Sequence, residues 1–170
     1  AKKDLEKRYP YSYLRKQGKA RDNDAFNSTY STQKIVAVLK REASSTEKAI
    51  DTFVACAIDN DKDYIVEGYH LSPAFIKKLI KRYGKKNIKA IFLIKSDIEQ
   101  FAKDVHKSST PNDWLLALTK KEETFLKVGK MVSIYSRFFE DEAKKYGFKV
   151  FNMDFSFKKQ LQKAIKYVTG

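Results

Sequence analysis

The sequence predicts one α/β domain over residues 1–170, a parallel sheet of three to five strands covered by helices. Three observations lead there. β-friendly runs and helical stripes alternate from residue 63 onward, the order that right-handed crossovers between parallel strands require. Ala90-Ile91-Phe92-Leu93-Ile94 is apolar without interruption, as in a strand buried on both faces. Two segments, Ser44 with Glu47 and Ser96 with Glu99, carry the capping-box spacing that starts a helix. At 170 residues, 42% of them hydrophobic, the chain can bury a single sizeable core.

Each element follows from its local pattern. Ala1 to Tyr9 is helical, with Leu5 as its one strongly apolar residue, and Pro10 stops it. Tyr11 to Leu14 reads as a short strand, and the polar stretch from Arg15 to Asn27, which has neither period, reads as a long loop. Ser31 or Thr32 caps a helix striped by Ile35, Val36 and Leu39. Ser44 and Glu47 start a second helix through Ile50, Phe53, Val54, Ala57 and Ile58. Tyr64, Ile65 and Val66 form the first main strand and end in Glu67 and Gly68. Pro73 opens a helix with Phe75, Ile76, Leu79, Ile80 and Tyr83 on one face, closed by Gly84. After the strand in residues 88–94, Ser96 and Glu99 start a helix using Ile98, Phe101, Ala102 and Val105, which breaks at residues 108–112. Thr119 and Glu122 mark a long helix along Phe125, Val128, Val132 and Tyr135 that ends at Gly147. Phe148, Val150 and Phe151 make the last strand, and a helix through Leu161, Ile165 and Val168 follows Asp154.

The formal net charge is +14, from 35 basic and 21 acidic residues, and each half of the chain carries +7. A basic tail is thereby excluded, and the partners implied are anionic: phosphorylated metabolites, nucleotides or nucleic acid. Lysine outnumbers arginine 29 to 6, whereas bidentate recognition of phosphates and bases favours arginine, so a generic solvated lysine surface stands as an equal reading. Aromatic residues interleaved with basic ones in Arg8-Tyr9-Pro10-Tyr11-Ser12-Tyr13-Leu14-Arg15 are suited to stacking single-stranded bases, or simply to a core. Cys56 is the only cysteine, which excludes an intramolecular disulfide and a thiolate metal cluster; its helical setting suggests a small core residue. No apolar run approaches the ~18 residues of a membrane span, and the first residues do not form a signal peptide. The expectation is a cytoplasmic protein without a membrane partner.

Glu67 is the first candidate for chemistry, because ligands of open parallel sheets bind outside the carboxyl ends of the strands. The plainer alternative is that Glu67 ends a strand and Gly68 permits the turn. His70 is a candidate contact for a substrate phosphate or a turn histidine satisfied by backbone. With His106 as its only fellow histidine, it has no metal-site spacing, and no metal site is expected. No Gly-x-Ser-x-Gly elbow is present.

Tyr64-Ile-Val-Glu67-Gly68-Tyr69-His70-Leu71-Ser72-Pro73 resembles the strand-Glu-Gly-x-His-x-x-Pro segment of P-loop small-molecule kinases related to 2-phosphoglycerate kinase and the zeta-toxin group. Ser28-Thr29-Tyr30 before a helix is similar to a segment those kinases place upstream, and the order of later elements fits the same template across most of the chain. The resemblance implies a P-loop kinase-like sheet and a nucleotide-dependent phosphotransferase acting on a small hydroxylated or phosphorylated acceptor, with ATP and Mg²⁺. Glu67 would then be the general base on the acceptor hydroxyl or hold the Mg²⁺ water shell. Asp22 and Asp24 would lie near the acceptor, unless they only cap turns. Arg21, Lys107, Lys120, Lys121 and Arg137 would neutralise the transferring phosphate from a lid, unless they are solvated surface charges. The family's Gly-x-x-x-x-Gly-Lys-Ser/Thr loop has no counterpart: in the nearest fragment, around Gly18-Lys19, Tyr13 stands for the first glycine and Ala20 for the hydroxyl. Either that loop and its strand lie ahead of Ala1, or ATP binding at that site has been lost. The alternative function is a basic nucleic-acid-binding module, with a polynucleotide-directed kinase reconciling the two.

Overall fold

The structure, a computed structural model, describes residues 2–17, 22–109 and 113–170. These form nine helices and one sheet of two parallel strands. The expected sheet of three to five strands is therefore replaced by a mostly helical body with a small parallel sheet at one end.

Helix α1 (Lys2–Arg8) ends before Pro10, as expected, but Pro10 opens α2 (Pro10–Gln17) instead of a strand. Proline suits the first helical position, where its missing N–H is not needed. The next two N–H groups, of Tyr11 and Ser12, donate to one carboxylate oxygen of Glu42 at 2.7 and 3.0 Å, so the cap comes from another helix. The expected loop from Arg15 to Asn27 is likewise broken up: α2 runs to Gln17 and α3 (Asn23–Thr29) follows, capped by Asp22.

Ser31 caps α4 (Thr32–Asp59), one continuous helix of 28 residues where two were expected. The Ser44 hydroxyl donates back to the Arg41 carbonyl inside the helix, and Glu47 reaches across to Lys78, so neither side chain does the work of a cap. Tyr64, Ile65 and Val66 then lie outside the sheet, exposed by 55%, 97% and 41%. Their β propensity has no neighbouring strand to satisfy, and propensity without cross-strand packing does not make a strand. Cys56, expected in the core, is exposed.

From Pro73 onward the local signals hold. Ser72 caps α5 (Pro73–Tyr83), and Gly84 ends it at φ +89°, a conformation that favours glycine. Strand β1 (Ile91–Ile94) leads to α6 (Ile98–His106), α7 (Trp114–Ala117) and α8 (Glu122–Lys145), then to β2 (Lys149–Asn152) and α9 (Phe157–Thr169). β1 and β2 pair in parallel with Ile91 opposite Lys149 and Ile94 opposite Asn152. Details differ from expectation, among them that Asp97, not Ser96, caps α6, and that Leu93 is half exposed, so β1 is covered fully on one face only.

Helix α8 is the spine of the molecule. Its carboxyl end packs Phe139 and Ala143 with Phe75, Ile76, Leu79 and Phe92 from α5 and β1. Its amino end packs Phe125 and Val128 with Ala102 and Leu115. Between them, Met131 and Tyr135 meet Phe26, Ile35 and Leu39 of α3 and α4. At the crossing with α6, a Cβ on Gly129 would stand 2.9 Å from the Ile98 carbonyl oxygen, so only glycine lets the two backbones approach this closely.

Candidate functional site

The structure gathers four of the expected residues around one open cleft of about 440 Å³, lined by Asp22, Asp24, Ser28, Lys120 and Lys121 among others. Two elements build it: α3 on one side, and the turn from α7 to α8 on the other. Asp22 Oδ1 accepts the Ala25 N–H at 2.9 Å, which fixes the start of α3. Asn23 donates its N–H to the Leu118 carbonyl at 3.0 Å and its Nδ2–H to the Thr119 hydroxyl at 3.0 Å, so the two elements that build the cleft are tied to each other. Thr119, expected to mark the start of α8, is instead buried in this tie.

Asp24 completes the join. Its Oδ2 accepts the Lys120 N–H at 2.9 Å and its Oδ1 the Lys121 N–H at 3.3 Å, which fixes the backbone leading into α8, whose N-cap residue Lys121 makes no side-chain cap. Burial pushes the Asp24 carboxyl up, but the Thr124 hydroxyl, the two N–H donors and the Lys121 charge outweigh it and hold it below the usual carboxylate range. Held in that direction, Asp24 serves near neutral pH as an ionised hydrogen-bond acceptor and is unsuited to taking a proton there. Lys120 and Lys121 are exposed at the rim.

The other expected residues do not join this cleft. Arg21 lies outside the described residues. Lys107 caps the carboxyl end of α6 and Arg137 is exposed on α8. Glu67 is exposed in the turn before α5 and makes no hydrogen bond among the described residues. That turn is anchored where the Tyr135 hydroxyl donates to the Tyr69 carbonyl at 3.3 Å, about four helical turns along α8 from Lys121. The His70 ring lies tilted against the Tyr69 ring, with centroids 3.8 Å apart and planes 31° apart. Burial pulls the His70 imidazole below its ordinary pKa, against the Glu42 charge, which works the other way. Burial first, then Glu42 and Tyr11, push the Tyr69 phenol up to about 12.

Two constellations went unread in the sequence. Glu42, 5% exposed, accepts the Tyr11 and Ser12 N–H groups and the Ser12 hydroxyl, at 2.9 Å for the last. Its signal was a carboxylate on the apolar stripe of Ile35 and Leu39, where a leucine would be ordinary. The second stands at the carboxyl ends of the two strands, where an open parallel sheet binds its ligand. Asp154 Oδ2 accepts the N–H groups of Ser96 at 2.8 Å and Asp97 at 3.1 Å, and the Lys95 ammonium lies 2.6 Å from Asp104 and 3.8 Å from Asp154. The chain's own carboxylate therefore occupies the anion position beside α6, and the pair latches the two loops together.

Comparison with protein-family models, with curated proteins and with solved structures finds no match for this chain. No helix among the described residues is long and apolar enough to cross a membrane.

Proposed function

We propose that this chain supplies the acceptor-holding part of a nucleotide-dependent phosphotransferase, taking a small hydroxylated or phosphorylated acceptor between α3 and the α7–α8 turn. The observation that carries this reading is the meeting of Lys120 and Lys121 with Asp22 and Ser28 on one cleft of about 440 Å³, within the range of small-molecule sites. Ammonium groups serve as point charges for a phosphate or carboxylate. The Ser28 hydroxyl and the Asp22 carboxylate can hold acceptor hydroxyls, and Asp24 keeps the lysine backbone in place beneath them. Glu67 does not line the cleft, and its turn is anchored about four helical turns along α8 from Lys121, so an acceptor held here is out of its reach and this reading gives Glu67 no role as general base.

ATP and Mg²⁺, which the resemblance implies, do not fit the residues present. The sequence has no Gly-rich phosphate loop, and among the described residues no group of three or more His, Cys, Asp or Glu could hold a metal ion. No step of the proposed role runs through either group. The test is calorimetric titration with 2-phosphoglycerate, the acceptor for which the resembled kinases are named. Binding is expected in the parent chain, with a loss of about tenfold or more in the Lys120→Ala/Lys121→Ala variant and none in Arg137→Ala. Equal affinity of the double variant and the parent, or no binding by either, overturns the reading.

A further inference from the structure

The excess of positive charge is even along the chain but uneven in its pairing. From Gly68 to Ser96 there is no acidic residue at all, while Lys77, Lys78, Lys81, Arg82, Lys85, Lys86 and Lys89 fall within 13 residues and are all exposed. On α5, the buried stripe of Phe75, Ile76 and Leu79 faces the core, which sends the basic residues outward by helical period. Two of them lean toward α4 and are neutralised there: Lys78 lies 3.4 Å from Glu47 and Arg82 lies 2.6 Å from Asp51. Lys77 and Lys81 stand opposite the core, and Lys85, Lys86 and Lys89 continue past Gly84 toward β1. None of these five forms an ion pair among the described residues.

We infer that this lysine row, from Lys77 on α5 to Lys89 before β1, is a docking surface for the phosphate backbone of a nucleic acid. The chemistry is that of backbone tracking without base reading. The five free cations are all lysines, which neutralise phosphates as point charges, and the one arginine of the stretch is held by Asp51. Lys77 and Lys81 are one helical turn apart, a rise of ~6 Å, close to two phosphate steps of ~3.4 Å along one strand of a duplex. No exposed large apolar side chain falls between Gly68 and Lys89, so the row lacks the anchor that an amphipathic membrane helix inserts between lipids. The surface is separate from the cleft, whose lining comes from α3 and the α7–α8 turn.

Fluorescence anisotropy with a labelled DNA duplex of about 20 base pairs, repeated from ~50 to ~200 mM salt, tests the inference. Five phosphate contacts give a slope of log affinity against log salt near −4.5, at ~0.9 per contact. Lys77→Glu/Lys81→Glu/Lys85→Glu should flatten the slope by about 3 and cut affinity on the order of 10²-fold at ~0.1 M salt. Lys159→Glu/Lys163→Glu/Lys166→Glu on α9 changes the net charge equally and should leave both within about twofold. Circular dichroism checks that each triple variant is folded, and glutamine in place of glutamate at the same three positions should flatten the slope in the same direction. Equal losses from the α5 and α9 variants would reduce the effect to net charge. That result, no duplex binding, or binding only to phosphatidylserine vesicles, overturns the inference.

Discussion

Glu42 in the middle of α4 and Glu67 in the turn before α5 are opposite answers to the same chemical question. Glu67 has the sequence surroundings of a functional carboxylate, with β-friendly residues before it and Gly68 and His70 after it, yet it stands in water without a hydrogen-bond partner among the described residues. Glu42 has the surroundings of a helix interior, yet it is 5% exposed and accepts three hydrogen bonds from α2. A carboxylate's role is set by the donors that tertiary structure brings to it, because desolvation and hydrogen bonding, more than neighbours in sequence, decide what the charge is worth.

The largest way to break this contrast is Glu42→Ala. Two helix N–H groups and a hydroxyl would lose their acceptor, and a loss of about 2–3 kcal/mol is expected in chemical denaturation. A change below ~0.5 kcal/mol would mean that water replaces the cap at no cost and that α2 is not held by Glu42.

A smaller effect is expected at His70, which lies close to both carboxylates, one in space and one in sequence. Burial depresses its folded pKa relative to the unfolded value near 6.5. As pH falls below ~6.5 the unfolded chain takes up the proton first, so this contribution to stability is fully present above that value and is lost as pH drops through the folded pKa. Proton NMR should place the His70 midpoint below 6.5. Glu42→Gln should move it further down by removing a charge that favours the imidazolium, whereas Glu67→Gln, three residues away, should leave it in place. A shift in the Glu67 variant alone would reverse the comparison.

The smallest effect is expected from the turn itself. Glu67→Ala and Ile65→Ser remove side chains that are already solvated, and each should change stability by no more than ~0.5 kcal/mol. A loss above ~1 kcal/mol from Ile65→Ser would show that residues 64–66 are packed in solution.

Where the deciding contacts are local, the sequence by itself determined the outcome. Ser72, Pro73 and Gly84 bound α5, Gly147 follows α8, and the apolar runs around Phe92 and Val150 became the two parallel strands, because caps, turns and hydrophobic period act within a few residues. Where the deciding contact spans the chain, only the tertiary structure decided. Glu42 caps α2 from 31 residues away, turning an expected strand into a helix. Asp24 holds Lys120 and Lys121 from 96 and 97 residues away, which makes a cleft of residues that the sequence could name but not assemble. Residues 64–66 show the converse: a strand needs a partner's backbone as well as its own side chains, and here none lies beside them.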